Sequence, residues 1–351
     1  MDKDRIKGFS EKVFADMAGA MISGMGYVGI KTGLFRAMAG QGPMRLDDVV
    51  RATGLHPRYV EEWLKGMTCA GYVQYDATLQ KYRLPDEHAF LLASDGTDHF
   101  MGGLFCLAPV LLGLAPQVAD AFAKGGGVRF ADVGRDGVTA FDLINRGQYE
   151  HRFTSYWLKT MPRVVARLED GGRVLDVGCG AGRVCVAIAK DFPKADITGL
   201  DPDEESIRQA YAAAAAAGLA NRICFLAGTT EDLDSPDSFD LITACDCIHD
   251  FAAPHTTLRK LRALLKPEGT LFIIEPKVAD RLEDNLNPIA TMFYGFSLFH
   301  CMTQSLAAGG PGLGTCLGPS RTEELIREAG FRRFEMLDIK SPVNLFYAAQ
   351  P

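Results

Sequence analysis

The sequence predicts an α/β chain: a doubly wound, Rossmann-like sheet with one antiparallel strand, preceded by a small, mainly helical domain of winged-helix type. Three observations predict it. From residue 171 onward, short apolar runs alternate with amphipathic runs, the signature of strands laid parallel by helical crossovers. At the head of that half, Val174, Leu175 and Val177 run into glycines at alternate positions, Gly178, Gly180 and Gly182, and then into a helical pattern. In the first 95 residues, two helical patterns at helix-turn-helix spacing lead into an alternating stretch.

The bulk properties set limits. A chain of 351 residues suits more than one domain, and 47% hydrophobic content can fill a sizeable core. A net charge of −7 argues against nucleic acid as the main partner. The start lacks the apolar core of a secretory signal, and no run reads as a membrane span. Nine scattered cysteines point to a reducing, cytoplasmic setting.

In chain order, 15–39 reads as a helix rich in small residues, which permit close helix–helix approach. Helices over 45–51 and 56–70 follow, and 71–84 reads as a β-hairpin wing. Glu61 and Glu62 on the would-be recognition helix would face phosphates badly, so a dimerisation module is expected over a DNA reader. The predicted divisions are 1–95 for this domain, 96–170 for a helical linker and pocket wall, and 171–351 for the sheet domain. In the linker, 109–124 reads as one helix and 148–168 as another. Tyr149, His151, Phe153, Tyr156 and Trp157 make the second an aromatic wall, equally readable as packing between domains. Predicted strands cover 174–177, 196–200, 223–226, 241–245, 270–275, 334–339 and 345–349, the last two as a hairpin.

The glycine spacing carries the first chemical inference. A strand turning through glycines into a helix offers bare N–H groups at the carboxyl edge of a sheet, where a nucleoside-like cofactor binds. The spacing is G-x-G-x-G, from Gly178 through Cys179 and Gly180 to Gly182, with Asp176 two residues ahead. An acid there repels a pyrophosphate and attracts an ammonium group, which favours S-adenosylmethionine (SAM) over NAD. Asp201, about 20 residues on at the next strand's end, suits both ribose hydroxyls, and Pro202 can lie on the adenine. Thr229 and Thr230 stand where the adenine edge is read. The fourth strand's end brings Asp246, Cys247, His249 and Asp250 toward the methionine end. His249 is the first general-base candidate and His300 the second. Cys245-Asp-Cys247 lacks the spacing of a zinc site, so no metal is predicted. The insertion 277–315, with Tyr294 in an aromatic, methionine-rich helix and then a glycine-rich loop, reads as a lid over an apolar pocket.

Together these motifs resemble class I SAM-dependent methyltransferases over roughly 165–350, through the glycine loop, Leu200-Asp201 and Leu265-Lys-Pro-Glu-Gly269. The whole chain resembles a bacterial subgroup with an N-terminal winged-helix dimerisation domain. That likeness rests on 31–35, 82–88, Ile248-His-Asp250, 300–306 and 312–314. The resemblance implies that Gly178, Gly180, Gly182 and Asp201 hold SAM, with Asp246 or its neighbours near the methionine. Many relatives carry an Asp where Thr229 stands, so Thr230, Glu231 or backbone must bind the adenine amino group here. The expected activity is methyl transfer to a small-molecule O, S or N acceptor, leaving S-adenosylhomocysteine, by a homodimer. The alternative is a SAM-responsive, DNA-binding winged-helix regulator.

Overall fold

A computed structural model describes residues 1–351, and the chain falls into two compact units. The first comprises Met1–Val110 with Leu143–Gly147, and the second Leu111–Asp142 with Gln148–Pro351.

The first unit is built on α1 (Lys3–Lys31), α2 (Leu34–Met38), α3 (Leu46–Thr53) and α4 (Pro57–Cys69). The helix predicted over 15–39 is two, because Gly33 adopts a left-handed conformation (φ 74°) that no helix continues through. Gly29 allows Phe35 and Trp63 to press on α1; a Cβ there would lie 2.5 Å from the Phe35 ring. The Trp63 indole N–H donates to the Met25 carbonyl at 2.8 Å, so this core tryptophan keeps its polar bond. A short hairpin follows, β1 (Gln74–Asp76) with β2 (Lys81–Arg83), then α5 (Asp86–Leu92) and α6 (Gly102–Gly113). The order of helices and wing is that of a winged helix. By length and composition alone α1 is apolar enough to cross a membrane, a test that core helices of soluble proteins also pass.

In the second unit, α7 (Ala115–Lys124) and α8 (Gly134–Arg152) precede α9 (Pro162–Glu169). Pro109 does not start a helix as predicted; it lies inside α6, and the break falls at Leu114. The predicted 148–168 helix is interrupted by a π-turn at Phe153–Trp157. Then β3 (Arg173–Val177), α10 (Arg183–Asp191), β4 (Asp196–Asp201), α11 (Glu204–Ala216), β5 (Ile223–Ala227), β6 (Phe239–Cys245), α12 (Pro254–Leu264) and β7 (Leu265–Pro276) alternate. The insertion holds α13 (Pro288–Phe296), a π-turn at Ser297–Cys301 and α14 (Met302–Ala307). The chain ends with α15 (Pro319–Glu328), β8 (Arg333–Met336) and β9 (Asn344–Gln350).

Seven strands lie in the order β5-β4-β3-β6-β7-β9-β8, and β9 is antiparallel to both its neighbours, the one reversed strand expected. The order reverses direction at β3, so a crevice opens at the carboxyl ends of β3 and β6. Period-two alternation sends Val174 into one core face and Leu175 with Val177 into the other. Burial on both faces explains why these strands read as unbroken apolar runs.

Candidate cofactor and acceptor site

Gly178, Gly180 and Gly182 all sit in the left-handed region, at φ 65°, 51° and 71°. Their surroundings differ. A Cβ on Gly178 would lie 2.8 Å from that of Cys247, and one on Gly182 would meet Phe225 at the same distance. At Gly180 nothing lies within 4 Å, so that face of the loop is open. The loop's N–H groups are less bare than the sequence implied. Those of Gly178 and Cys179 donate to the Leu200 carbonyl, and Gly180 donates to the Asp201 carboxylate at 2.9 Å. Close pairing of the β3 and β4 tips turns them inward.

Asp201 is thereby tied to the loop. One oxygen accepts from Gly180 and the other from the Asp203 N–H, at 2.9 Å each. Each oxygen keeps a lone pair for a further donor. Burial raises its pKa to about 6, against those bonds. Asp176 lies below the loop, not at its mouth. It is buried, accepts from the Thr243 hydroxyl at 2.6 Å and from the Cys185 thiol, and burial pushes it up to about 7. Pro202 is exposed beside Asp201. Thr229 caps the turn Thr230–Asp232, its N–H and hydroxyl both on Asp232, while Thr230 is buried and Glu231 exposed. The open face at Gly180 with the Asp201 carboxylate beside it fits the ribose side of a SAM molecule.

At the β6 tip, Asp246 adopts φ 53°, unusual for a side chain with a Cβ. Tyr149 donates to one carboxylate oxygen at 2.8 Å and Asn344 to the other at 3.1 Å. Burial, and then Glu275, raise Asp246 to about 6. Cys247 is buried, its thiol donating to the Val177 carbonyl at 3.2 Å under the glycine loop.

His249 follows on a single helical turn, Ile248–Asp250, and is 2% exposed. Its Nδ1 pairs with Glu275, at the end of β7, at 2.5 Å. Glu275 also accepts from the Ile248 N–H at 3.1 Å. Burial disfavours charge on His249, while Glu275 and then Asp250 favour it and raise its pKa, so that the neutral ring is a strong base. His300 is the reverse. Its ring packs on Phe141 (4.3 Å) and Phe130 (5.4 Å), and burial pushes it down to about 4. The two rings sit in opposite surroundings, carboxylates around His249 and aromatic rings around His300.

The aromatic wall divides. Phe153 and Trp157 are core side chains, packed with Phe272 and Phe346. The π-turn there rotates them inward, while Tyr156 and His151 lie exposed, and Tyr149 reaches Asp246 at the β6 tip. Tyr294 is also exposed, because Phe293 is the face of α13 that turns inward. The glycine-rich loop of the insertion is seated: Gly314 donates to the His249 carbonyl at 3.3 Å, and Gly312 to the Ser305 hydroxyl.

Sequence reasoning missed Glu275 and Arg183. An acid closing a buried strand, in Ile274-Glu275-Pro276, was the available signal for the first. Arg183 opens α10 and binds Asp142 through two nitrogens at 2.7 and 2.8 Å and Glu150 at 2.9 Å, fixing α8 to the glycine loop's helix.

A glycine loop at the switch point, an acid at the second strand tip and a polar cluster at the fourth and fifth define the class I methyltransferase type of site. Comparison with known proteins agrees. Residues 168–316 match the methyltransferase domain family and 20–94 the Rv2258c-like winged HTH domain family, so the chain carries a methyltransferase domain behind a winged-helix domain. A ubiquinone biosynthesis O-methyltransferase of Bradyrhizobium diazoefficiens is 32% identical over 103 residues, 29% of this chain and 39% of that protein. A sterol 24-C-methyltransferase of Gibberella zeae is 35% identical over 121 residues, 34% of this chain and 32% of that one. The chain thus matches well under two thirds of these relatives' length. Among solved structures, human N-acetylserotonin methyltransferase with SAM has a TM-score of 0.70 at 19% identity, covering 100% of this chain and 98% of that one. Mitomycin 7-O-methyltransferase gives 0.68 at 18%, covering both chains fully. These share the fold along the whole chain.

Proposed function

We propose that the protein transfers the methyl group of SAM to a hydroxyl oxygen of a small molecule. The observation that carries this reading is the pairing, at one sheet edge, of an open glycine loop bearing Asp201 with the buried His249–Glu275 pair. Bound SAM supplies a methyl already activated by its sulfonium sulfur. Gly178, Gly180 and Gly182 admit the cofactor, Asp201 accepts from its ribose, and Asp246, aligned by Tyr149 and Asn344, faces its ammonium group. The acceptor's proton is removed by the cluster around His249, whose orientation Glu275 fixes, and alignment supplies much of the remaining acceleration. Matched relatives and structural neighbours named as O-methyltransferases support oxygen as the acceptor atom. A DNA-binding role finds no support: on α4, Arg58 is paired with Glu62 and Lys65 with Glu61.

We also propose a homodimer formed through the first unit, in the cytoplasm, where all nine cysteines remain free thiols. Calorimetry with S-adenosylhomocysteine tests the cofactor reading; absence of binding rejects it. His249→Ala is expected to keep that affinity within a few-fold and to lower kcat on a hydroxyl acceptor by about 10²–10⁴. Unchanged kcat rejects the role of the cluster.

A further inference from the structure

Three side chains from two separated parts of the chain converge beside the acceptor end of the sheet edge. His249 and Asp250 stand on the turn after β6, and Cys301 on the π-turn of the insertion. One donor atom of each lies within 4.8 Å of the others. His249 commits Nδ1 to Glu275, which leaves Nε2 as its donor toward the group. Asp250 Oδ1 is buried with no hydrogen-bond partner. It lies 3.6 Å from His249 Nε2. That is long for a hydrogen bond. It is near the roughly 3.4 Å edge that nitrogen and oxygen ligands span across a tetrahedral zinc ion.

We propose that His249 Nε2, Asp250 Oδ1 and Cys301 Sγ form a binding site for a divalent metal ion of zinc type, with the fourth position open to the acceptor. The donor set of one nitrogen, one oxygen and one sulfur is that of a borderline-soft ion, and three protein ligands with an open position mark a catalytic rather than a structural site. The Glu275–His249 pair is the carboxylate–imidazole arrangement that fixes the tautomer of a metal-bound histidine. A π-turn inserts one extra residue into a helix, a device common at functional sites, and here it holds Cys301 at 6% exposure against the β6 turn. The ion also balances Asp250 and Glu275, two carboxylates crowded around one imidazole.

The role of the ion rests on the methyl-transfer reading; the site itself does not. With the ion bound, the cluster around His249 would remove the acceptor's proton by acidifying its hydroxyl at the open position, the proton passing to solvent. The O–CH₃ bond then forms as the S–CH₃ bond breaks, and that bond's electron pair stays on sulfur, turning sulfonium into thioether.

The test is metal analysis of the purified full-length protein with zinc alone, then with cobalt in its place. About one zinc per chain is expected, and a thiolate-to-cobalt charge-transfer absorption. Cys301→Ser should abolish that absorption, and Cys301→Ser and Asp250→Asn should each weaken zinc binding at least tenfold. Both should bind S-adenosylhomocysteine within a few-fold of wild type, which certifies their fold. Substoichiometric zinc with no cobalt absorption, in protein that binds S-adenosylhomocysteine, overturns the metal site and leaves the transfer reading standing with His249 acting unaided. One zinc per chain without S-adenosylhomocysteine binding upholds the metal site and removes the transfer reading.

Discussion

Asp201 bears two burdens that pull apart. In the proposed role it must be ionised to accept from both ribose hydroxyls, yet burial raises its pKa to about 6. The consequence is a pH limit on cofactor binding. A carboxylate with a raised pKa is protonated as pH falls through that value, and protonation removes an acceptor. S-adenosylhomocysteine affinity is therefore expected to be flat above about pH 7 and to fall up to tenfold per unit below about 6. Asp201→Asn should weaken binding and flatten that limb. Calorimetry at pH 5 and 7.5 on both proteins checks this, and an affinity independent of pH in the wild type would contradict it. Asp201 was legible from its place at a strand end; its tie to the Gly180 N–H was not, because that depends on how closely β4 approaches β3. Asp176 shows the opposite limit. Its position in sequence read as the tip of a strand, but Thr243 and Cys185 enclose it from neighbouring elements.

At the scale of the element, the glycine loop separates strain from collision. Gly178 and Gly180 share a left-handed backbone, so alanine at either costs about 1–2 kcal/mol. Only at Gly178 does the new methyl meet a neighbour, the Cys247 side chain. Gly178→Ala is expected to lower Tm by more than Gly180→Ala, while Gly180→Ala loses cofactor affinity out of proportion to its small loss of stability. Thermal melts and S-adenosylhomocysteine titrations of both variants decide. Equal effects on both readouts would show that the loop's two faces are not distinct. The strand–loop–helix unit was fully legible, since alternating apolar residues and paired glycines are local signals. The π-turns were not. Nothing local in Phe153–Trp157 or Ser297–Cys301 marks a five-residue repeat; packing against Phe272 and the β6 turn selects it. Hence Tyr156, read with Phe153 and Trp157 as one aromatic wall, lies exposed while those two are buried.

At the scale of the whole molecule, α1 exposes apolar side chains at helical spacing. Phe14 is 73% exposed, Met17 58% and Met21 59%. A contiguous apolar face on a long helix is a surface awaiting a partner. If a second copy covers it, Phe14→Lys with Met21→Lys should convert a dimer to a monomer in light scattering, with S-adenosylhomocysteine affinity unchanged. A wild type that is monomeric, or a double variant that keeps the dimer mass, would reject α1 as the interface. The fold class and the reversed strand were legible because alternation and turn chemistry are distributed along the chain. The cluster at the β6 tip was legible only in His249 and Asp250, not in the residues that meet them. His249, Glu275 and Cys301 lie 26 residues or more apart, and only the crossover of β7 and the insertion bring them together.

The path of α8 has a practical corollary. Residues 143–147, in its middle, belong to the first unit although the rest of the helix belongs to the second. The fit is tight: a Cβ on Gly103 would come 2.7 Å from the Leu143 carbonyl carbon, and one on Gly147 would come 1.9 Å from the Thr97 carbonyl oxygen. Anyone shuffling domains between relatives by cutting near residue 95 or 110 would set the donor's N-terminal module against the recipient's 143–147, because the donor's own five residues are left behind. A functional chimaera has to carry 143–147 with the N-terminal module it came from.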